Sequence, residues 1–231
     1  SGFFPYGDKS DAALRARLPA VAKALVEAAR PDVFVIACNT ASTLALDAVR
    51  EVLDIPVVGT VPAIKPAAAI SQTKTIGLLA TPGTVGRDYT ARLIAQFAKD
   101  VRVIMHGSVD LVRLAEEQAS GGAVSLDAFR AAQKPLFDVE GGSRIDTVVL
   151  ACTHFPLVRG ELAATVPHPV SFVDSGEAIA RQTLRVLPMR SLSPGAQGGR
   201  LFITSAQTEQ PRLIEVCHRF GFDEVHRVSV T

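Results

Sequence analysis

Residues 32–40 read Asp-Val-Phe-Val-Ile-Ala-Cys-Asn-Thr, and residues 146–154 read Asp-Thr-Val-Val-Leu-Ala-Cys-Thr-His. Both stretches are apolar without alternation, which is typical of strands covered on both faces in a parallel sheet. A Pro-Val pair follows each stretch at nearly the same spacing, at 56–57 and 169–170. The repetition predicts two copies of one β-α-β unit. Chance likeness between buried strands is the alternative, but it does not explain why each copy ends in cysteine and two hydrogen-bonding residues.

Outward from these stretches, apolar runs alternate with helix-like segments along nearly the whole chain. The runs predict strands at 33–37, 56–59, 75–80, 101–106, 147–151, 170–173, 200–204 and 224–228. Ser and Thr residues that typically cap the N-terminus of a helix predict four helices. They lie at 11–30 after Ser10, 85–99 after Thr84, 109–118 after Ser108 and 126–139 after Ser125. Residues 187–199, rich in Ser, Pro and Gly, predict a long irregular connection. The pattern is that of an α/β protein with mainly parallel sheets.

Composition narrows the classes of function. The 231 residues are 48% hydrophobic and 20% charged, which argues against disordered and fibrous architectures. A net charge of +1 without runs of like charge lacks the electrostatic footprint of a nucleic-acid binder. The longest uncharged stretch, 33–46, is too short and too polar to span a bilayer, so no membrane partner is expected. Without a secretory signal and with an odd number of cysteines, the chain is expected in the reducing cytoplasm.

The two repeated cysteines, Cys38 and Cys152, fall at the carboxyl ends of predicted strands, the edge where open α/β sheets bind ligands. A single cysteine there is usually a small buried hydrophobe. Two cysteines in matched positions of a repeat suggest a pair of thiols that approach one cleft from opposite lobes. Such a pair suits inversion of a carbon stereocentre, because one thiolate removes a proton while a thiol on the other face supplies one.

The neighbours of the two cysteines differ. His154 lies two residues after Cys152, so on extended backbone both side chains face the same side, and the imidazole could lower the thiol pKa. A solvent-facing turn residue is the alternative for His154. Asn39, Thr40 and Thr153 could donate hydrogen bonds to a carboxylate, although such residues also cap helices.

Signals for cofactors are weak. The Thr81–Thr84 loop follows a strand and opens a helix, so its amides could hold an anion, but it matches neither a dinucleotide fingerprint nor a Walker loop. Cys38, Cys152 and His154 are suitable zinc ligands by type, yet no Cys-x-x-Cys pair or His-Glu-x-x-His helix supports a metal site. We therefore expect no nucleotide, metal or other cofactor.

Four motifs together resemble the glutamate racemases, a family of the aspartate/glutamate racemase superfamily. They are Phe-Pro-Tyr-Gly-Asp-Lys-Ser at 4–10, Ala-Cys-Asn-Thr-Ala-Ser at 37–42, Ala-Cys-Thr-His-Phe-Pro-Leu at 151–157 and Asp-Ser-Gly at 174–176. The resemblance implies a cofactor-independent enzyme that interconverts L- and D-glutamate for bacterial peptidoglycan. It also implies two pseudo-symmetric three-layer α/β lobes around an active-site cleft. The first lobe would be 1–61 with 175–231 and the second 62–174, and a homodimer is a further possibility.

The resemblance also assigns roles to residues. Cys38 and Cys152 would be the catalytic acid/base pair, with His154 assisting Cys152 and Glu116 a nearby catalytic carboxylate. Substrate would be bound by residues from both lobes: Tyr6, Gly7, Asn39, Thr40, Thr81, Thr84, Thr153 and His154.

One family element has no counterpart in the printed sequence. The family begins with another strand and an Asp-Ser-Gly turn whose Asp would assist Cys38, whereas this sequence starts at Ser1. We expect that the printed chain lacks a segment of the whole protein. Two other functions compete with this prediction. The chain would be an aspartate or hydantoin racemase, or an inactive ligand-binding homologue.

Overall fold

The computed structural model describes residues 6, 9–188, 198–204 and 211–230. Within them the strands are β1 (Phe34–Ile36), β2 (Val57–Gly59), β3 (Thr75–Ala80), β4 (Arg102–Gly107), β5 (Thr147–Ala151), β6 (Ser171–Val173), β7 (Gly199–Ile203) and β8 (Phe222–Arg227). The α-helices are α1 (Asp11–Ala29), α2 (Asn39–Arg50), α3 (Ile64–Ile70), α4 (Pro82–Val85), α5 (Asp88–Phe97), α6 (Val109–Ala119), α7 (Leu126–Phe137), α8 (Arg159–Thr165), α9 (Gly176–Val186) and α10 (Pro211–Arg219). The predicted α/β class is confirmed.

Every strand pair in the described residues is parallel. β1 pairs with β2, a second sheet has the order β4-β3-β5-β6, and β7 pairs with β8. We call the β1–β2 sheet with α1 and α2 the first lobe, and the four-stranded sheet with α3 to α8 the second lobe. The finer boundaries, at 61/62 and 174/175 with the C-terminal tail in the first lobe, stay a prediction.

The second lobe has three layers. On one face of its sheet a core including Leu79, Val148 and Leu150 packs against side chains of α6, α7 and α8. On the other face Ile76 and Val149 pack against α3 and α5. Because β3 and β5 are buried along their whole length, they read in the sequence as unbroken apolar runs.

The first lobe has its own core. Buried residues of α1 and α2, such as Leu14, Leu18 and Leu44, pack with Ile36 and Val57 of the two-stranded sheet. Burial of one such side chain contributes about 1.5–3 kcal/mol. Each lobe therefore buries an apolar core of its own.

Three predicted helix starts are confirmed, because the side chains of Ser10, Ser108 and Ser125 each accept a hydrogen bond from a first-turn amide. The fourth predicted helix start, at Thr84, was wrong. Thr84 does not start a helix over 85–99: Thr81 caps the short α4 through the amide of Thr84, 3.2 Å away, and α5 begins only at Asp88. Of the predicted irregular connection at 187–199, residues 189–197 lie outside the described residues.

The separate α4 turn brings Thr81 and Thr84 close to the end of β4. A side chain at Gly107 would place its Cβ 2.8 Å from Cα of Pro82, so glycine is required where α4 crosses the strand. No described helix is both long enough and apolar enough to cross a membrane.

Asp146 connects the start of β5 to the loop before β3 through hydrogen bonds. Its Oδ2 accepts hydrogen bonds from the amides of Gln72 and Thr73, both at 2.7 Å, and Oδ1 accepts one from the Thr147 hydroxyl at 3.0 Å. Desolvation opposes ionisation here, but these hydrogen bonds outweigh it and lower the pKa of Asp146 to about 2.

We expect Asp146→Asn to lower the free energy of unfolding at pH 7 by about 1–2 kcal/mol, reduced from the full linkage value because the group is partly exposed. The depressed folded-state pKa stabilises the fold above about pH 4, and that contribution disappears as the pH falls towards 2. Urea unfolding of both proteins at pH 7 and pH 3 measures this. Asp32→Asn, at the exposed matching position of the first copy, is the control. An equal deficit at both pH values would contradict the assignment.

Candidate active site

The site lies where the carboxyl ends of β1 and β5 meet. Cys38 and Cys152 follow these strands, and both line one cavity of about 40 Å³ together with residues of the two lobes and the N-terminal segment. The other lining residues are Tyr6, Asn39, Thr40, Thr81, Val112, Ala151, Thr153 and His154. A volume of this size holds only a few water molecules. An amino acid is larger than this cavity.

Cys38 is at the N-cap of α2. Its Sγ accepts a hydrogen bond from the amide of Ala41 at 3.5 Å, in the position that Ser or Asp usually occupies. Burial raises the pKa of the Cys38 thiol, with a further rise from the neighbouring Cys152 and partial opposition from the Ala41 amide. The neutral thiol is thus favoured at Cys38.

Cys152 begins a chain of polar contacts. Its Sγ lies 3.9 Å from Nδ1 of His154, and Nε2 of His154 lies 3.0 Å from Oε2 of Glu116 on α6. Burial alone would lower the pKa of His154, but the hydrogen bonds with Cys152 and Glu116 raise it to about 9. The same contact with His154 lowers the pKa of Glu116. At neutral pH the imidazole is therefore cationic and lies between the Cys152 sulfur and the Glu116 carboxylate.

Three threonine hydroxyls meet where the two lobes are in contact. The hydroxyl oxygen of Thr40 in the first lobe lies 3.0 Å from that of Thr81 and 3.2 Å from that of Thr84, which are 3.1 Å apart. The Thr153 hydroxyl also crosses the boundary and donates to the carbonyl of Ala37 at 2.9 Å. These hydroxyls are donors that an anionic ligand could recruit when the lobes part.

Asn39 offers a further polar group. Its side chain is 4% exposed, and its Oδ1 has no hydrogen-bond partner in the described part of the chain. Buried polar atoms are rarely left unpaired, so such a group at a cavity wall is suited to a ligand that donates a hydrogen bond.

A model of the family described as Asp/Glu/Hydantoin racemase matches residues 3–183. The chain belongs to this racemase family. Glutamate racemases of Escherichia coli O157:H7 and Shigella flexneri are each 43% identical over 228 residues, covering 98% of this chain and 79% of the relative. The resemblance inferred from the four motifs is confirmed.

Solved structures of this racemase family are similar in fold. The E. coli glutamate racemase, crystallised with L-glutamate and the activator UDP-MurNAc-ala, superimposes with a TM-score of 0.90 at 43% identity, covering 99% of this chain and 86% of that one. The Thermus thermophilus glutamate racemase, crystallised with beta-chloro-D-alanine, gives 0.71 at 29% identity, covering 99% and 84%.

Most residues predicted from the sequence of this family member lie together. Cys38, Cys152 and His154 share the cavity, Glu116 contacts His154 from behind, and Thr84 lies one hydrogen bond from Thr40. Gly7 lies outside the described residues. The roles of all these residues stay predictions.

Two groups at the cavity were not predicted from the sequence. Val112 of α6 supplies an apolar surface to the cavity, and the carbonyl of Ala37 holds Thr153. Val112 falls within the helix predicted at 109–118, where no signal distinguishes it from the other apolar residues. Nothing in the sequence identifies a particular backbone carbonyl as a partner.

Proposed function

We propose that the chain is a glutamate racemase, which interconverts L- and D-glutamate by acid/base catalysis with two thiols and without a cofactor. The observation that carries the proposal is the placement of one cysteine from each lobe at a single cavity. The similarity in sequence and fold to the glutamate racemase of E. coli supports glutamate as the substrate.

In the proposed reaction the α-carbon lies between the two sulfurs. One thiolate removes the α-proton, the C–H electron pair is delocalised into the adjacent carboxylate, and the thiol on the opposite face donates its proton to the carbon. The thiolate and thiol have then exchanged their states, so the reverse reaction uses the same groups in opposite roles. Proton exchange with water resets the pair between turnovers.

The two sulfurs differ in their surroundings. His154 carries a positive charge at neutral pH and lies beside Cys152, whereas burial favours the thiol at Cys38. We therefore propose that Cys152 acts first as the base and Cys38 as the acid. With these roles the pair deprotonates the enantiomer whose α-hydrogen faces Cys152.

The substrate carboxylates would be held mainly by neutral donors. Neither lysine nor arginine is among the described residues that line the cavity. Hydroxyls of Thr40, Thr81, Thr84 and Thr153, the Asn39 amide and the residues Tyr6 and Gly7 are proposed to contact the substrate. The N-terminal amides of α2 add the favourable end of a helix dipole near Asn39.

The proposed role is to supply D-glutamate for peptidoglycan and so to support cell wall formation and cell shape. Catalysis by two free thiols requires a reducing compartment, which supports a location in the cytoplasm. Self-association as a homodimer stays a prediction.

Incubation of each glutamate enantiomer with the protein in D₂O tests the function. We expect deuterium at the α-carbon of both enantiomers and a change in optical rotation towards a racemic mixture. Parallel incubations with aspartate and with a hydantoin separate the related activities of this family. Binding of glutamate without exchange would instead support an inactive binding protein.

A further inference from the structure

An ion pair joins the two lobes at the α4 turn. Asp11 is the first residue of α1, and Arg87 lies between α4 and α5. Nη2 of Arg87 donates to Oδ1 of Asp11 at 2.6 Å, and Nη1 donates to the carbonyl of Gly83 at 2.5 Å. The pair thus connects the start of α1, close along the chain to Tyr6, with the turn that carries Thr81 and Thr84.

The two partners are buried to different degrees. The Arg87 side chain is 12% exposed and that of Asp11 is 59% exposed. Nε of Arg87 is buried without a hydrogen-bond partner among the described residues. A guanidinium withdrawn from water in this way needs a compensating anion. Asp11 supplies that anion only while the lobes are together.

Opening of the lobes changes this balance. The cavity is too small for an amino acid, so the contacts that cross between the lobes must break when a ligand enters or leaves. In an open state water would solvate both charges, and neither would depend on the other. Loss of one partner therefore destabilises the closed state and leaves the open state nearly unaffected.

We propose that the Asp11–Arg87 ion pair is a latch that holds the lobes closed over the two cysteines and breaks each time ligand is exchanged. The proposal depends on the proposed function only in naming an amino acid as the ligand. Asp11 and Arg87 act through the lobes and are positioning residues without contact to the reacting atoms.

The latch is tested by thiol alkylation of the ligand-free protein. Iodoacetamide labelling, followed for each cysteine by peptide mass spectrometry, reports through the buried Cys152 how often the cavity opens, whereas Cys38 is already partly exposed. For Asp11→Asn and for Arg87→Gln we expect the labelling rate of Cys152 to rise about fivefold and that of Cys38 to rise less, and the double variant to rise no further. Raised ionic strength should speed labelling of the unaltered protein and have little effect on the variants.

The two variants separate a latch from a change in thiol pKa. Removal of the negative charge at Asp11 would favour thiolates, and removal of the positive charge at Arg87 would disfavour them. An effect through pKa alone therefore moves the two labelling rates in opposite directions and would overturn the proposal. Unchanged rates in both variants would overturn it as well.

Two controls belong to the same experiment. Cys217 is 3% exposed and lies outside the cavity, so its labelling reports general loosening of the fold. It should stay slow in both variants, and a rise equal to that of the cavity cysteines would contradict the latch. Glu27→Gln changes an exposed charge near the other end of α1 and should leave all three rates unchanged. Because labelling needs no turnover, failure of the latch is distinguishable from absence of racemase activity.

Discussion

Cys38→Ser and Cys152→Ser are each expected to lower kcat/KM for racemisation by about 10²–10⁴-fold, in both directions. A serine hydroxyl is a far weaker acid than a thiol, so it neither forms the required base nor donates the required proton at neutral pH. Each direction of the reaction uses one sulfur as base and the other as acid. Loss of either sulfur therefore affects both directions. Optical rotation started from each enantiomer measures the effect.

Isotope exchange gives this prediction a sharper form. In a single variant the remaining thiol can still remove a proton from its own face and return deuterium from D₂O to that face. Cys38→Ser should thus retain exchange without inversion for one enantiomer, and Cys152→Ser for the other. Cys217→Ser, at a buried cysteine away from the cavity, is the control and should racemise normally. Rapid racemisation by either cleft variant would contradict the assignment of two opposed thiols.

His154→Gln is expected to lower kcat/KM at pH 7 by roughly 10–100-fold, because it removes the positive charge that lies beside the Cys152 sulfur. The histidine pKa of about 9 keeps the imidazole cationic at neutral pH. The deficit should shrink above about pH 9, where His154 of the unaltered protein loses its own charge. A kcat/KM profile from pH 6 to 10 measures this.

The activity of the unaltered enzyme, unlike that of His154→Gln, should fall at high pH. His154 loses its proton as the pH passes about 9, so the positive charge beside the Cys152 sulfur is lost there and activity is expected to decline. Glu116→Gln removes the second contact of the ring and is the graded control, with a smaller deficit and a decline that begins at lower pH. A deficit in His154→Gln that stays constant over the whole pH range would contradict this role.

The asymmetry of the two thiols links these experiments. Cys38 is at a helix N-cap and is favoured as a thiol by burial, whereas Cys152 lies beside an imidazolium. The changes at His154 should consequently affect Cys152 more than Cys38. Labelling rates of the two cysteines in His154→Gln provide an independent check of that difference.

Much of the fold could be predicted from sequence because its signals are local. Unbroken apolar runs predicted β3 and β5 with their observed ends, and serine side chains marked three helix starts by capping the amides of the next turn. The repeat placed a cysteine beyond each of two strands. Strand burial and helix caps depend on residues only a few positions apart, so a sequence records them directly.

The tertiary structure decided what depends on distant partners. The hydroxyl of Thr84 contacts Thr40 of the other lobe, and the helix predicted to begin after Thr84 starts only at Asp88. The contact between His154 and Glu116, the size of the closed cavity and the pairing of Arg87 with Asp11 likewise have no local signal. The sequence by itself determined which chemical groups the two strand ends carry. Their distances, charges and access to water arise only when the lobes pack together, because those quantities depend on the relative position of segments that are far apart along the chain.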